Sequence, residues 1–141
     1  MIWGLLVVMT ACSSEGGLPA SSPQQLRYAA EAYARDDIPC LSDGDCCVVV
    51  DPCVSNALVV GVNDRGEVEQ LLAEANDGTC TRCVAPAVQV RCEASTCVGQ
   101  SVSLADAGGD ATYGELSKTH CGAVALPPPS GAQMKVFGCG P

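Results

Sequence analysis

Aromatic residues are scarce in this chain of 141 residues, at 4%, and histidine occurs only once. The hydrophobic fraction reaches 48%, but alanine and cysteine contribute much of it, so the sequence predicts a modest core that needs other support. Basic residues are also few, since 7 Lys and Arg stand against 16 Asp and Glu, for a net charge of −9. A chain this acidic repels phosphate backbones, so nucleic acid is not an expected partner.

The apolar run near the N-terminus, at residues 2–9, is too short to cross a bilayer, because a transmembrane helix needs about 20 apolar residues. Its length suits the hydrophobic core of a signal peptide. The run ends in two small residues followed by Cys12, and a polar stretch at residues 13–17 comes next. The cysteine therefore lies at the boundary between an apolar and a polar segment.

This boundary resembles the lipobox of bacterial lipoproteins, over residues 1–17. The resemblance implies that residues 1–11 are a signal peptide and that Cys12 becomes an acylated N-terminus carrying chains such as palmitate. It implies a covalent lipid anchor in the envelope of a Gram-negative bacterium. Ser13 after the cysteine implies sorting to the outer membrane, facing the periplasm or the cell surface. The alternative interpretation is an ordinary apolar N-terminus with a stray cysteine.

Cysteine, by contrast, is abundant, with 11 residues. An odd number leaves one thiol unpaired in an exported protein. If Cys12 carries lipid, the other ten can form five disulfides, and such density is typical of an oxidising compartment. The predicted half-cystines are Cys40, Cys46, Cys47, Cys53, Cys80, Cys83, Cys92, Cys97, Cys121 and Cys139.

The periodicity of the chain predicts a small disulfide-rich α+β domain with two helices and a mainly antiparallel sheet. Ser22 and Gln25 have the spacing of a capping box, and Pro23 suits the first position of the first helix. Asp64 is the expected cap of the second helix. The strands are predicted at residues 46–51, 57–63, 87–93 and 96–104, which gives the order helix, strand, strand, helix, strand, strand.

Two packing expectations follow from this assignment. Adjacent residues of a strand point to opposite faces, so Cys46 and Cys47 should bond to different partners. Val68, Leu71 and Leu72 form the apolar stripe of the second helix and should pack against the sheet. Ala94-Ser95 is a poor two-residue turn, which leaves the pairing of the last two strands open.

The sequence divides into five segments. Residues 1–11 are the expected signal peptide and 12–22 a lipidated, flexible tether, followed by the cysteine-rich domain at 23–104. Residues 105–118 are rich in Gly, Ala and Asp and predict a linker. Residues 119–141 predict a C-terminal hairpin, closed by a disulfide between Cys121 and Cys139.

Cys80-Thr-Arg-Cys83 is a C-x-x-C motif, which is typical of thiol–disulfide oxidoreductases when it opens a helix. No helical pattern follows it here, because Pro86 intervenes, and two structural half-cystines are the favoured interpretation. The same pair with Cys92 and Cys97 has a spacing that can bind zinc. Zinc requires reduced thiolates, so an oxidising compartment argues against a metal here.

Asp43-Gly44-Asp45 brings two carboxylates together and can ligate calcium, but the further ligands of an EF-hand are missing and a turn explains the motif equally well. His120 lies in a Pro/Gly-rich tail, where a solvated surface position is expected. A hydrolytic triad would have to use this histidine. The sequence thus predicts no catalytic residue, no metal and no cofactor.

These observations favour a lipid-anchored, non-enzymatic binding or structural module whose partner is another envelope protein or a polysaccharide. A hydrolase inhibitor is the alternative, because small disulfide-stapled domains present rigid loops, and the loop at residues 126–132 is its candidate. A thiol–disulfide oxidoreductase acting through Cys80 and Cys83 is the third hypothesis.

Overall fold

The computed structural model describes residues 21–76, Cys80 and residues 83–133. This part of the chain is a small disulfide-rich α+β domain, as predicted. Its elements, in chain order, are α1 (Pro23–Glu31), a 3₁₀ turn (Asp43–Asp45), β1 (Cys46–Asp51), β2 (Asn56–Gly61), α2 (Arg65–Ala75), β3 (Val88–Glu93), β4 (Thr96–Ser101), α3 (Asp110–Leu116) and β5 (His120–Cys121).

The domain has three layers with β1 at its centre. An antiparallel sheet in the order β2-β1-β5 forms the middle layer. One face of that sheet packs against α1 and α2 through Val49, Val60 and neighbouring residues. The opposite face packs against the β3–β4 hairpin through Val48, Val90 and others. Because both faces of β1 are covered, its sequence is a continuous apolar run rather than an alternating one.

The two adjacent cysteines of β1 bond to different parts of the structure, which confirms the prediction from strand geometry. Cys46 faces the hairpin and is bonded to Cys97 on β4. Cys47 faces the helical layer and is bonded to Cys121 on β5. At consecutive residues of β1, one disulfide therefore links the strand to the hairpin layer and the other links it to β5 of its own sheet.

The two predicted helix starts had different outcomes. At α1, the hydroxyl of Ser22 accepts from the backbone of Gln25, and the Gln25 side chain accepts from the backbone of Ser22, so the capping box is confirmed. At α2, Asp64 is the N-cap residue, as predicted, but its side chain makes no capping hydrogen bond. Val68 and Leu72 of α2 are buried against the sheet, whereas Leu71 is only partly buried.

The hairpin forms despite its unfavourable turn sequence. Ala94 and Ser95 adopt positive φ angles of 48° and 61°, and Glu93 pairs directly with Thr96. This is the backbone that a two-residue turn requires to match the twist of its strands. The Cys40–Cys92 and Cys46–Cys97 bridges hold the hairpin in place on both sides of the turn.

The predicted linker at 105–118 is wrong, because residues 110–116 form α3. Tyr113 and Leu116 of this helix are buried in a third hydrophobic cluster, together with Leu104 and Ala107. The Gly/Ala/Asp-rich composition gives little sign of this helix, which has only two large buried side chains. Its stability comes from packing rather than from intrinsic helix propensity.

The predicted closure of the C-terminal hairpin is also wrong, because Cys121 is bonded to Cys47 and not to Cys139. β5 contains two residues and adds to the edge of β1, where Cys121 lies directly opposite Cys47 with a Cα–Cα distance of 4.0 Å. Because Cys47 and Cys121 are direct neighbours across the strand pair, their sulfurs meet without a loop between them. Cys139 lies outside the described residues.

Candidate functional site

The most distinctive surface feature of the described residues is the segment 38–45, here called the Leu41 loop. Its first part is extended and pairs with the start of β4, since the Cys97 amide donates to the Ile38 carbonyl at 2.9 Å. The Cys40 amide donates to the Ser95 carbonyl at 3.1 Å, and the Cys40–Cys92 disulfide ties the loop to β3. The loop is thus anchored through its backbone and by a covalent bond.

Asp45 fixes the second half of the Leu41 loop. One oxygen of its carboxylate, Oδ2, accepts hydrogen bonds from the amides of Leu41 and Ser42, each at 2.8 Å. These two bonds, first that from Leu41 and then that from Ser42, lower the pKa of Asp45 below the usual value of an aspartate. The carboxylate therefore stays ionised at neutral pH and holds the backbone of the loop in one conformation.

The result of this anchoring is that the Leu41 side chain is presented to solvent. Its exposed fraction is 97%, the highest among the exposed large hydrophobic residues of the described chain. Beside it lies an open groove of about 360 Å³, with Ile38 in its buried wall and the half-exposed Val62 on its rim. The carboxylates of Asp45 and Asp64 border the same groove. An apolar knob beside an apolar groove with an acidic rim suits recognition of another macromolecule.

The calcium interpretation of Asp43-Gly44-Asp45 is not supported by the contacts of its carboxylates. Asp45 binds the amides of the Leu41 loop, and Asp43 Oδ1 accepts from the Cys92 amide at 2.8 Å. The motif forms the 3₁₀ turn that joins the loop to β1, which is the turn interpretation. Both carboxylates therefore accept hydrogen bonds from backbone amides, which is a structural role.

The zinc interpretation requires free thiolates, but in the structure these cysteines form disulfides. Cys80 is bonded to Cys53, Cys92 to Cys40 and Cys97 to Cys46, while Cys83 is also disulfide-bonded. Within the described ranges, the sulfurs of Cys40, Cys46 and Cys97 lie within 4.8 Å of one another, but all three belong to disulfides. Oxidised sulfurs are not zinc ligands.

The C-x-x-C motif at residues 80–83 does not contain a disulfide of its own, because Cys80 is bonded to Cys53. A redox motif of this type works by switching between a dithiol and an internal disulfide. The pairing therefore removes the geometric basis of the oxidoreductase hypothesis. Thr81 and Arg82, between the two cysteines, lie outside the described residues.

His120 is not the solvated surface residue that its surroundings in the sequence predict. It lies in β5 opposite Val48, and its ring atom Nδ1 is 2.7 Å from the Lys118 carbonyl. Its second ring nitrogen, Nε2, is buried and has no hydrogen-bond partner in the described part of the chain. A carbonyl accepts hydrogen bonds only, so Nδ1 is the donor in this contact.

The proposed inhibitor loop at residues 126–132 is exposed over most of its length, as expected of a binding loop. It is also held against residues 105–109, since the Ser130 amide donates to the Ala105 carbonyl at 3.2 Å. A side chain at Gly108, where φ is +75°, would collide with Pro127. The loop is therefore a docked surface segment.

Sequence reasoning did not identify Leu41 as a surface anchor. The available signal was its position, because a large apolar residue stands between a cysteine and the polar residues 42–45. Three further predicted features, the signal peptide, Cys12 and Cys139, lie outside the described residues.

Comparison with known proteins found no matching family model, no matching curated protein and no matching solved structure. In the part of the chain that the structure describes, no helix has the length and apolar character needed to cross a membrane.

Proposed function

We propose that this chain is a lipid-anchored, disulfide-stabilised envelope protein that acts by binding a macromolecular partner. The observation that carries the binding role is Leu41, which is almost fully exposed on a loop held by a disulfide and by two charge-assisted hydrogen bonds. Fixing the backbone that carries an apolar side chain lowers the entropy that association costs. A freely moving exposed leucine would have no such advantage.

The compartment is inferred from cysteine chemistry. All nine cysteines of the described residues are in disulfides, which is typical of proteins outside the cytosol. The chain has eleven cysteines, so complete pairing within one molecule leaves one over. Acylation of Cys12 accounts for that residue and supplies the membrane anchor.

The anchor and the charge of the domain fit together. In this proposal, acyl chains on Cys12 insert into the outer membrane, and each buried CH₂ contributes about 0.8 kcal/mol. Residues 13–22 act as the tether to α1. The net charge of −9 repels an anionic lipid surface and favours a domain that stands away from it. The partner is then another envelope protein or a polysaccharide that the domain reaches from the membrane.

Site-specific photocrosslinking tests the binding role. A photoreactive leucine analogue at position 41 should give a discrete adduct in intact envelopes, whereas the same analogue at Val54, another exposed apolar position, should not. Adding unlabelled wild-type protein should lower the yield of the adduct by competing for the partner, and adding the Leu41→Asp variant should not. Equal crosslinking at positions 41 and 54, or equal competition by Leu41→Asp, would contradict the proposed role of Leu41.

A hydrolase inhibitor remains the second candidate because a rigid, exposed leucine beside a disulfide is suited to an apolar specificity pocket. A panel of serine proteases with apolar specificity distinguishes the two functions. Inhibition that is lost in Leu41→Asp would establish the inhibitor role at the Leu41 loop. Inhibition that is lost instead on replacing residues 126–132 would place it at the other exposed loop.

A further inference from the structure

The outer edge of β4 contains backbone groups without partners among the described residues. In the hairpin, the N–H of Val102 bonds to the carbonyl of Ala87, which shows that even-numbered residues of this strand face β3. The Cys97 amide faces the other way and bonds to Ile38. Gly99 and Ser101 alternate in step with Cys97, so their N–H and C=O groups also point outward.

This outer edge is only half covered. Residues 38–40 run antiparallel along the beginning of β4, with Pro39 opposite Thr96. If that extended segment continued backward in register, Asp36 would lie opposite Gly99. The chain turns away at residues 36–37 instead, and leaves Gly99 and Ser101 uncovered.

The uncovered half of the edge lacks the usual protection against strand pairing. Native edge strands carry charged residues, prolines or bulges that prevent another strand from adding. β4, with the sequence Thr-Cys-Val-Gly-Gln-Ser, has none of these. Residues 98–101 are all exposed, and the apolar side chain of Val98 is 40% exposed beside the open backbone.

We propose that the outer edge of β4 binds an extended, basic segment of a partner protein by strand addition. This proposal rests on the binding function proposed above and names the chemistry of the partner. The incoming strand would pair with Gly99 and Ser101 and lie in line with residues 38–40. Backbone hydrogen bonds supply affinity in this mode, and side chains near the edge supply selectivity.

The basic character of the partner follows from the charges at the end of the gap. Asp36 and Asp37 lie where the covering segment turns away, directly beyond the last paired residue. The only ion pair there joins Arg35 to Asp37 at 3.9 Å between two exposed side chains, which leaves the acidic pair poorly neutralised within the described residues. A second copy of this chain would bring the same carboxylates and a net charge of −9 to the contact. A segment carrying Lys or Arg beside alternating β-formers avoids that repulsion.

The probe for this site is the synthetic peptide acetyl-Lys-Thr-Val-Thr-Val-Lys-amide, titrated into ¹⁵N-labelled domain lacking the residues before the tether. Binding should shift the amide signals of Gly99 and Ser101 more than those of the strand interior. Replacing the terminal lysines of the peptide by glutamates should abolish the shifts. Methylating alternate backbone amides of the basic peptide should weaken binding about tenfold, because the pairing hydrogen bonds are lost.

Ser101→Pro tests the edge from the side of the protein. The Ser101 amide points outward, so proline there removes a donor for the partner without breaking a β3–β4 bond. Peptide affinity should fall about tenfold in Ser101→Pro and stay unchanged in Ser101→Ala. Asp36→Asn combined with Asp37→Asn should weaken binding severalfold and reduce its salt dependence.

Two results would overturn the proposal. One is the absence of a shift at Gly99 and Ser101 at millimolar peptide, and the other is equal affinity for the methylated and unmethylated peptides. Both are measured on the wild-type protein, so neither depends on whether a variant folds. A dimer in sedimentation that Ser101→Pro dissociates would assign the edge to a second copy instead. The crosslink reports on position 41 and the amide shifts report on Gly99 and Ser101, so a failure of the Leu41 crosslink and a failure of strand addition are distinguishable.

Discussion

The Nε atom of Arg27 donates to the Oδ2 atom of Asp51 across 2.9 Å and joins α1 to the end of β1. Asp51 is only 2% exposed, and its Oδ1 accepts from the amide of Cys53 and the side chain of Asn76. Arg27 also donates to Asn76, which ends α2, at 2.6 Å. The elements α1, α2 and β1 therefore meet at one buried carboxylate, and both of its oxygens accept hydrogen bonds.

Removing that carboxylate should be costly, because it leaves a partly buried guanidinium and two donors without acceptors. We expect Asp51→Ala to lower the free energy of unfolding by about 3–5 kcal/mol. Asp37→Ala is the matched control, since its ion pair with Arg35 is exposed and 3.9 Å long and should contribute less than about 1 kcal/mol. Denaturant unfolding of both variants checks the difference, and equal losses would show that the Arg27–Asp51 pair does not join the layers.

The two leucines of α2 should differ in their effect on stability. Leu72 is 5% exposed in the cluster between helices and sheet, and Leu71 only borders that cluster. Leu72→Ala should cost about 2–5 kcal/mol, and Leu71→Ala clearly less. Thermal or denaturant unfolding measures both. A larger loss for Leu71 would mean that α2 is rotated relative to the sheet.

Gly99 should be intolerant of any side chain, because β4 approaches β2 closely there. A Cβ atom at this position would collide with Cγ2 of Val59 and lie 3.3 Å from Cγ1 of Val88. We expect Gly99→Ala to destabilise the domain by about 1–3 kcal/mol. Gly66→Ala in α2 has no atom within 4 Å of its Cβ and should be neutral or stabilise by up to about 1 kcal/mol. Similar losses at both sites would exclude close packing of the two sheets at Gly99.

The order of the Leu41 loop should depend on pH through Asp45. The pKa of Asp45 is lowered by its bonds to the Leu41 and Ser42 amides, so its stabilisation is complete above the unfolded pKa. It is lost as the pH falls through the lower folded pKa. The amide signals of Leu41 and Ser42 should therefore titrate together, with a midpoint below the usual aspartate value, and Asp45→Asn should abolish the transition. A midpoint at or above that value would contradict the proposed clamp.

The layers of the fold could be anticipated where the chain carries a local signal. The apolar run of β1 and the capping box of α1 depend on neighbouring residues, and both were predicted. Adjacent Cys46 and Cys47 were correctly expected to diverge, because strand geometry alone requires it.

What failed depends on contacts between distant residues. Cys121 pairs with Cys47 across a separation of 74 residues, and nothing near Cys121 distinguishes that partner from Cys139. The buried Gln89 bonds through its amide to the backbone N–H and C=O of Val124, which secures the segment after β5 against the hairpin. A polar residue in a strand gives no sign of such a role. The exposure of Leu41 likewise results from the Asp45 and Cys92 contacts together.

The intact protein can be extracted from membranes with detergent and its mass measured before and after reduction, which tests the lipid anchor and the disulfide count together. We expect a chain that begins at Cys12 and carries a diacylglycerol with or without a further acyl group. Reduction should add about 10 Da, two hydrogens for each of five disulfides, and alkylation before reduction should label no cysteine. An unacylated chain that keeps residues 1–11, or a free thiol at Cys12, would show that Cys12 is not a lipid anchor.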